Sequence, residues 1–226
     1  MGEVLSFKRI QIVVIAAIAA VALGCSLSLG AQSAFAVGTT FEAGEGDSAA
    51  KYTITSMDPL EVDYTQTMAT GDAIVIPAKV KYEGKTYAVT SVGKQACRGF
   101  EGKTITTGKN LKTIGNGAFR DCPNLETVNI GNSVVKIGLR VCKNDPKLVN
   151  INIGKNVKTI GFLALKNDKK CEEVTINSAK LTAKGVKDVF KKSNVKTVKV
   201  PASKVEDYKK IFTKKNCGKA VDVVAI

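Results

Sequence analysis

The chain has 226 residues with 34 Lys or Arg against 20 Asp or Glu, a net charge of +14, and it contains neither histidine nor tryptophan. That length allows one domain with a real core or a small elongated array. Without histidine, Ser-His-Asp and Cys-His catalysis, HExxH zinc sites and the commonest proton shuttle are all excluded.

Lys8 and Arg9 precede the apolar run IQIVVIAAIAAVALGCSLSL, Ile10 to Leu29, and GAQSAFA then supplies small residues at Ala34 and Ala36. This three-part pattern reads as a secretory signal peptide over 1–36, cleaved after Ala36. A run of about 20 apolar residues can also span a bilayer. An uncleaved anchor through residues 10–29 and a lipoprotein modified at Cys25 are therefore the competing readings, and membrane attachment is expected only if the segment is retained. Residues 37–50, VGTTFEAGEGDSAA, are rich in Gly, Ser and acids and are expected to form a flexible linker.

Charge is unevenly spread beyond the leader. Residues 37–88 hold 4 basic against 8 acidic residues and residues 89–226 hold 28 against 11, so a net of -4 is followed by a net of +17. Past Ala36 only Arg98, Arg120 and Arg140 are arginine. Lysine is a hydrated point charge without the planar fork that reads phosphate or carboxylate geometry. Diffuse attraction to anionic polymers such as teichoic acid or sulfated glycan fits this surface. Specific nucleic-acid recognition does not, because few aromatics are available as stacking platforms.

Residues 51–88 read as a small β-rich N-terminal cap. AAKYTITS, LEVDYTQ and AIVIPAKVKYEGKTYAVTSVG alternate apolar and polar positions, with a turn at Glu83-Gly84.

From 89 to 179 the sequence repeats with a period of 23 residues: Ile114, Ile137 and Ile160 align, each followed by glycine at Gly115, Gly138 and Gly161. Four residues further stand Phe119, Cys142 and Leu165, then Leu125, Leu148 and Cys171, then Val128, Ile151 and Val174, and finally Ile130, Ile153 and Ile176. An upstream unit fits after dropping one residue, through Val92, Gly93, Cys97, Ile105 and Gly108. A period in the twenties with an L-x-x-V-x-I core is the signature of leucine-rich repeats, in which each coil buries its apolar side only by stacking on the next. The fold class expected is therefore a repeat solenoid, mainly β with short helical turns, between a β-rich N-terminal cap and an α/β C-terminal cap.

Within a coil, LETVNIG reads as a strand with Val128 and Ile130 inward and Thr127 and Asn129 outward. KTIG is a second short extended piece, and NGAFRDCP is a turn that Pro123 ends. Gly117 gives way to Arg140 and Leu163, so its G-x-G is no phosphate loop. Arg120 becomes Lys143 and Lys166, and Asp121 becomes Asn144 and Asn167, as solvated turn positions would. The EGKT strings at Glu83 and Glu101 lack the upstream glycine of a Walker motif and read as turns.

Five cysteines follow the leader, at 97, 122, 142, 171 and 217, with no C-x-x-C among them. Cys97 and Cys142 occupy the Phe119 column and Cys171 the Leu125 column, so the cysteines read as buried, unreactive thiols. Cys97 and Cys142, two coils apart, would be about 10 Å apart, too far for a disulfide. Cys122 against a neighbouring coil is the one pairing worth checking.

Residues 180–226 read as a degenerate repeat and C-terminal cap. NVKTVKVP repeats the strand spacing through Val195, Val198 and Val200. A helix over about 183–192 would bury Val186, Val189 and Phe190 and turn Lys184, Lys187 and Lys191 outward. Another would start at a Ser203–Glu206 capping box and bury Val205, Tyr208 and Phe212. AVDVVAI closes the chain as an edge strand.

VTSVGKQAC, LKTIGNGAFRDCPNLETVNIGNSV and NVKTIGFLAL resemble units of the BspA-like subfamily of bacterial leucine-rich-repeat proteins, and TVKVPASKVEDYKKIF is similar to that family's closing strand and Tyr-containing helix. The resemblance covers about residues 50–226. It departs at Gly131 and Gly154, where proline is common, and at Cys97 and Cys142, where Phe is common. It implies a secreted or cell-surface protein that mediates protein–protein or adhesive contacts.

No catalytic residue, metal ligand or cofactor site is expected. The candidate partner-binding residues are Thr127, Asn129, Asn150, Asn152, Glu173 and Thr175 on the outward strand face, for a protein or glycan, and Lys184, Lys187 and Lys191 for anionic cell-wall or host polymers.

Overall fold

The structure is a computed structural model and describes residues 36–226. The expected leader, apart from Ala36, lies outside the described residues, as does Cys25.

Six strands open the described chain: β1 (Thr40–Ala43), β2 (Ala50–Met57), β3 (Leu60–Thr67), β4 (Ala73–Val75), β5 (Lys79–Tyr82) and β6 (Lys85–Val92). Residues 37–50, expected as a flexible linker, instead contribute β1, which pairs antiparallel with β2 from Thr40 against Thr53 to Ala43 against Ala50. Its Phe41 decides the matter. The ring is only 6% exposed and stacks on Tyr82 with centroids 4.0 Å apart. A glycine- and acid-rich composition conceals one apolar side chain with a place to go.

Each repeat up to Ile176 adds one strand to each of two sheets, and the last adds a strand to one sheet alone. The four-residue strands are β9 (Thr127–Ile130), β11 (Asn150–Ile153), β13 (Glu173–Ile176) and β14 (Thr197–Val200), preceded by the three-residue β7 (Thr104–Thr106). Two-residue strands, β8 (Thr113–Ile114), β10 (Lys136–Ile137) and β12 (Thr159–Ile160), form the second series. All pair in parallel at the 23-residue offset, as in Val128 against Ile151 and Ile137 against Ile160, except β13 with β14, where Val174 stands against Val198 at an offset of 24. Inward side chains of both series meet: Ile130, Ile137, Cys142, Ile151 and Ile160 line one narrow interior gap.

The cap and the array are not separated at residue 88. β6 runs across that boundary, pairing in parallel with β3 on one side and β8 on the other. β4 joins the other sheet, setting Ala73, Ile74 and Val75 beside Thr104, Ile105 and Thr106. The first sheet thus runs β1-β2-β3-β6-β8-β10-β12, with β5 paired to β6. The second runs from β4 through β7, β9, β11, β13 and β14 to β15 (Asp222–Ala225).

The glycine after each short strand is required by coil spacing. A Cβ on Gly138 would lie 2.6 Å from the Gly115 carbonyl carbon, and one on Gly161 would lie 2.3 Å from the Gly138 oxygen. The connecting turns carry a second regularity. Gln95, Gly117, Arg140, Leu163 and Asp188 all have left-handed φ, and so do Gly99, Asp121, Asn144, Asn167 and Lys192, each four residues later. Only four of these ten, Gly99, Gly117, Asn144 and Asn167, are the Gly or Asn that tolerate this region best, so at Gln95, Arg140, Leu163 and Lys192 stacking overrides local preference.

At the C-terminal end α1 (Val205–Ile211) lays Tyr208 against the last coils. Its hydroxyl donates to the Ser178 carbonyl at 2.8 Å and accepts the Leu181 N–H at 3.1 Å. Phe212 stacks on Phe190. The expected capping box is absent: the helix begins after Lys204 without a side-chain cap, because residues 202–204 form a 3-10 turn. α2 (Lys214–Cys217) follows. The helix expected over 183–192 is a 3-10 turn at Ala183–Val186 followed by turns, although Val186, Val189 and Phe190 are buried. Asp188 explains the difference, since its left-handed φ of 49° interrupts a right-handed helix in the middle of that span.

Candidate interaction surface

Alternation along each long strand turns every second residue away from the core. Because the strands stack in register, these residues form two straight columns. One runs Ala73, Thr104, Thr127, Asn150, with Glu173, Thr197 and Asp222 continuing it. The other runs Val75, Thr106, Asn129, Asn152, Thr175, Lys199 and Val224. Seven strands at about 4.8 Å spacing make a face about 29 Å long.

The side chains of this face hold one another. The Asn152 amide donates to Asn129 Oδ1 at 2.8 Å, Asn129 donates to Thr106 Oγ1 at 3.5 Å and Asn150 donates to Thr127 Oγ1 at 3.4 Å. Glu173 and Lys199 form an ion pair at 2.8 Å. The centre is therefore a pre-ordered lattice of amides and hydroxyls. Its two ends carry exposed apolar side chains, Val75 at 46% and Val224 at 38%.

Thr127, Asn129, Asn150, Asn152, Glu173 and Thr175 thus lie together on one face. Lys184, Lys187 and Lys191 are exposed but do not join them, since the 3-10 turn that carries Lys184 packs on β12, in the opposite sheet. A cleft of about 290 Å³ lined by Thr67, Thr70, Arg98, Phe100 and Glu101 lies where the cap meets the first coil. Its guanidinium is engaged by Asp121 at 2.9 Å.

Sequence reasoning missed a buried polar column. Cys122, Asp145 and Asp168 occupy one register position, and both acids are 0% exposed. Asp145 Oδ1 accepts the Cys122 N–H at 2.8 Å, and Asp168 Oδ1 accepts the Asp145 N–H at 2.9 Å. Neither Oδ2 has a partner among the described residues. Burial pushes the Asp145 carboxyl up to about 8 against the opposing Cys122 N–H. Burial and then the neighbouring Asp145 push Asp168 well above its ordinary range. The 23-residue alignment holds the signal, an acid replacing Cys122 in two successive coils.

All five described cysteines are free and buried. Burial raises every one of these thiols, Cys122 and Cys171 to about 12. The Cys122 thiol donates to the Phe119 carbonyl at 2.9 Å and forms no bridge to a neighbouring coil.

A stack of 23-residue coils with a parallel strand face and a paired polar lattice on it defines a leucine-rich-repeat protein. Its family follows from the repeats themselves: six copies of the BspA type leucine rich repeat region match residues 90–218, and the chain belongs to that family. No curated protein matches the chain. Among solved structures it is similar to a leucine rich repeat protein of T. pallidum, TpLRR, at 20% identity over 75% of this chain and 96% of that one, with a TM-score of 0.48. A leucine rich cell surface protein from Faecalibacterium prausnitzii A2-165 is similar at 14% identity over 71% of this chain and 45% of that one, with a TM-score of 0.44. A leucine-rich repeat protein from Bacteroides capillosus is similar at 22% identity over 70% and 97%, with a TM-score of 0.40.

Proposed function

We propose that this protein is an exported, non-catalytic binding module, secreted or held at the cell surface, whose strand face docks a protein or glycan partner. The observation that carries this reading is the seven-strand face itself, flat, regular and already ordered by its own amide ladder. A partner meeting it loses little to the ordering of side chains, which is a main cost of association. Amides and hydroxyls at fixed spacing suit backbone groups or sugar hydroxyls equally, and the apolar ends at Val75 and Val224 add contact area. The leader pattern at Lys8 to Ala36 supports export.

The experiment is binding of the purified full chain to a panel of extracellular-matrix proteins and to a glycan array at 0.15 M salt or thereabouts, where the Debye length is about 8 Å. Capture of a discrete subset, little changed at several-fold higher salt, is expected. Retention of no member counts against the reading.

A further inference from the structure

The turns that connect the two sheets carry a line of cations. Three residues after each first left-handed position stand Arg98, Arg120, Lys143, Lys166 and Lys191. Backbone bonds between coils hold them side by side: the Gly99 N–H donates to the Arg120 carbonyl at 3.2 Å, Asp121 to Lys143 at 3.0 Å and Asn144 to Lys166 at 3.0 Å. Parallel to the line runs a polar ladder, in which the Asn167 amide donates to Asn144 Oδ1 at 2.8 Å and the Asn144 amide donates to Asp121 Oδ1 at 2.9 Å. The turns are therefore braced by side chains as well as by backbone.

The two halves of this ridge differ in charge. Asp121 neutralises its N-terminal half, pairing with Arg98 at 2.9 Å and Arg120 at 2.8 Å. In the following coils the equivalent positions are Asn144 and Asn167, so the acid is lost while the cations continue. Among the described residues Arg140, Lys143, Lys166 and Lys192 form no ion pair, and Lys191 has only a 3.8 Å contact to Asp188. Some cations elsewhere are matched, Lys199 by Glu173, Lys196 by Glu172, Lys204 by Asp207 and Lys209 by Glu206, but it is on the ridge that unmatched cations crowd one another. The nearest other acids, Asp145 and Asp168, are buried, and burial favours their neutral forms. Lys166 sits at the centre, its ammonium disfavoured by burial and then by Lys192, Lys143, Arg140 and Lys191.

We propose that this ridge, Arg140, Lys143, Lys166, Lys191 and Lys192, is a binding site for a flexible linear polyanion bearing sulfate or phosphate groups, laid across successive coils. Coils advance by about 4.8 Å, so the ridge offers one or two ammonium groups per coil along a straight path. The like-charge repulsion that the fold tolerates there is relieved when anions lie between the cations. Lysine suits this task better than arginine, because a point charge on a flexible stem follows a polymer without demanding one geometry. The site is independent of the strand face. Lys184 and Lys187, named from sequence for the same chemistry, are not members of it.

The test is salt-gradient elution of the purified full chain from immobilised heparin and from immobilised inorganic polyphosphate. The variant is Lys143→Gln with Lys166→Gln, and the control is Lys209→Gln with Lys210→Gln on α1, which removes the same charge. The ridge variant should elute at clearly lower salt, with the slope of log affinity on log salt smaller by about two, and the control should move far less. Lys143→Arg with Lys166→Arg should elute with the parent, which separates lost charge from lost fold. Retention on only one matrix identifies sulfate or phosphate as the group recognised and still supports the site. Equal shifts for ridge and control variants, no retention of the parent at low salt, or preference for duplex DNA over both matrices would overturn it.

Discussion

The Asp168 carboxylate accepts the backbone N–H of Asp145 at 2.9 Å, one coil away, with both side chains fully buried. A side chain thereby supplies an intercoil hydrogen bond that the backbone omits, and Asp145 does the same for Cys122. Among the described residues each acid leaves its second oxygen without a partner. Such a group is best neutral, because an unpaired buried charge is far costlier than a buried hydroxyl.

A pH dependence follows. An unfolded Asp titrates near 4, whereas Asp145 titrates near 8 and Asp168 is also raised. Between these values the folded chain holds protons that the unfolded chain has released, so stability falls as pH rises from about 4 towards 8, by at most about 1.4 kcal/mol per pH unit for each group. Asp121 has the opposite sign. Burial opposes its charge, but the Asn144 amide and the two guanidinia outweigh it and hold the carboxyl below its usual range. Its contribution is lost only as pH falls below about 4. Thermal melting across pH 4 to 9 should show the decline, and Asp145→Asn with Asp168→Asn should flatten it. A double variant with the parent's slope would show that other groups set the profile.

Gly138→Ala should destabilise the chain by about 1–3 kcal/mol, as overpacking does, because its Cβ would meet the Gly115 backbone at 2.6 Å. Gly99→Ala isolates a different cost. Its Cβ would enter open space, but its φ of +75° is left-handed. A loss of about 1 kcal/mol is expected there. Urea denaturation of both variants checks the two strains separately, and a negligible loss in either would refute the assignment at that position.

The five buried thiols should resist alkylation by iodoacetamide at pH 8 in the folded chain and react together once it is unfolded. Thiolate is the nucleophile, and burial suppresses it at every one. Mass counting of modified peptides reads this directly. Rapid labelling of Cys122 or Cys142 under native conditions would contradict their packing.

Much of the architecture was legible because solenoid coils repeat one set of physical demands. Ile114, Ile137 and Ile160 fill one column, and the glycines behind them meet one close approach, so alignment of the chain with itself exposes both. The outward columns from Thr127 to Thr175 followed from alternation alone. Three features were hidden for distinct reasons. β4 joins the strand sheet although 31 residues separate Ile74 from Ile105, because the β5–β6 hairpin is inserted in that coil and breaks the period. The left-handed turn positions carry Gln95, Arg140 and Leu163, whose side chains do not advertise that conformation. Arg120, Lys143 and Lys166 looked like solvated turn residues. Their meaning depends on Asp121 having no acidic counterpart in the next two coils.

The most direct measurement is binding of the full chain carrying Asn129→Lys, Asn152→Lys and Thr175→Lys to the same matrix proteins and glycans that capture the parent. Three lysines in adjacent coils break the Asn152–Asn129 ladder and crowd the centre of the face without touching the core. Capture should fall at least tenfold while the melting temperature stays close to the parent's. Undiminished capture by a variant that melts with the parent would contradict the strand face as the interaction surface.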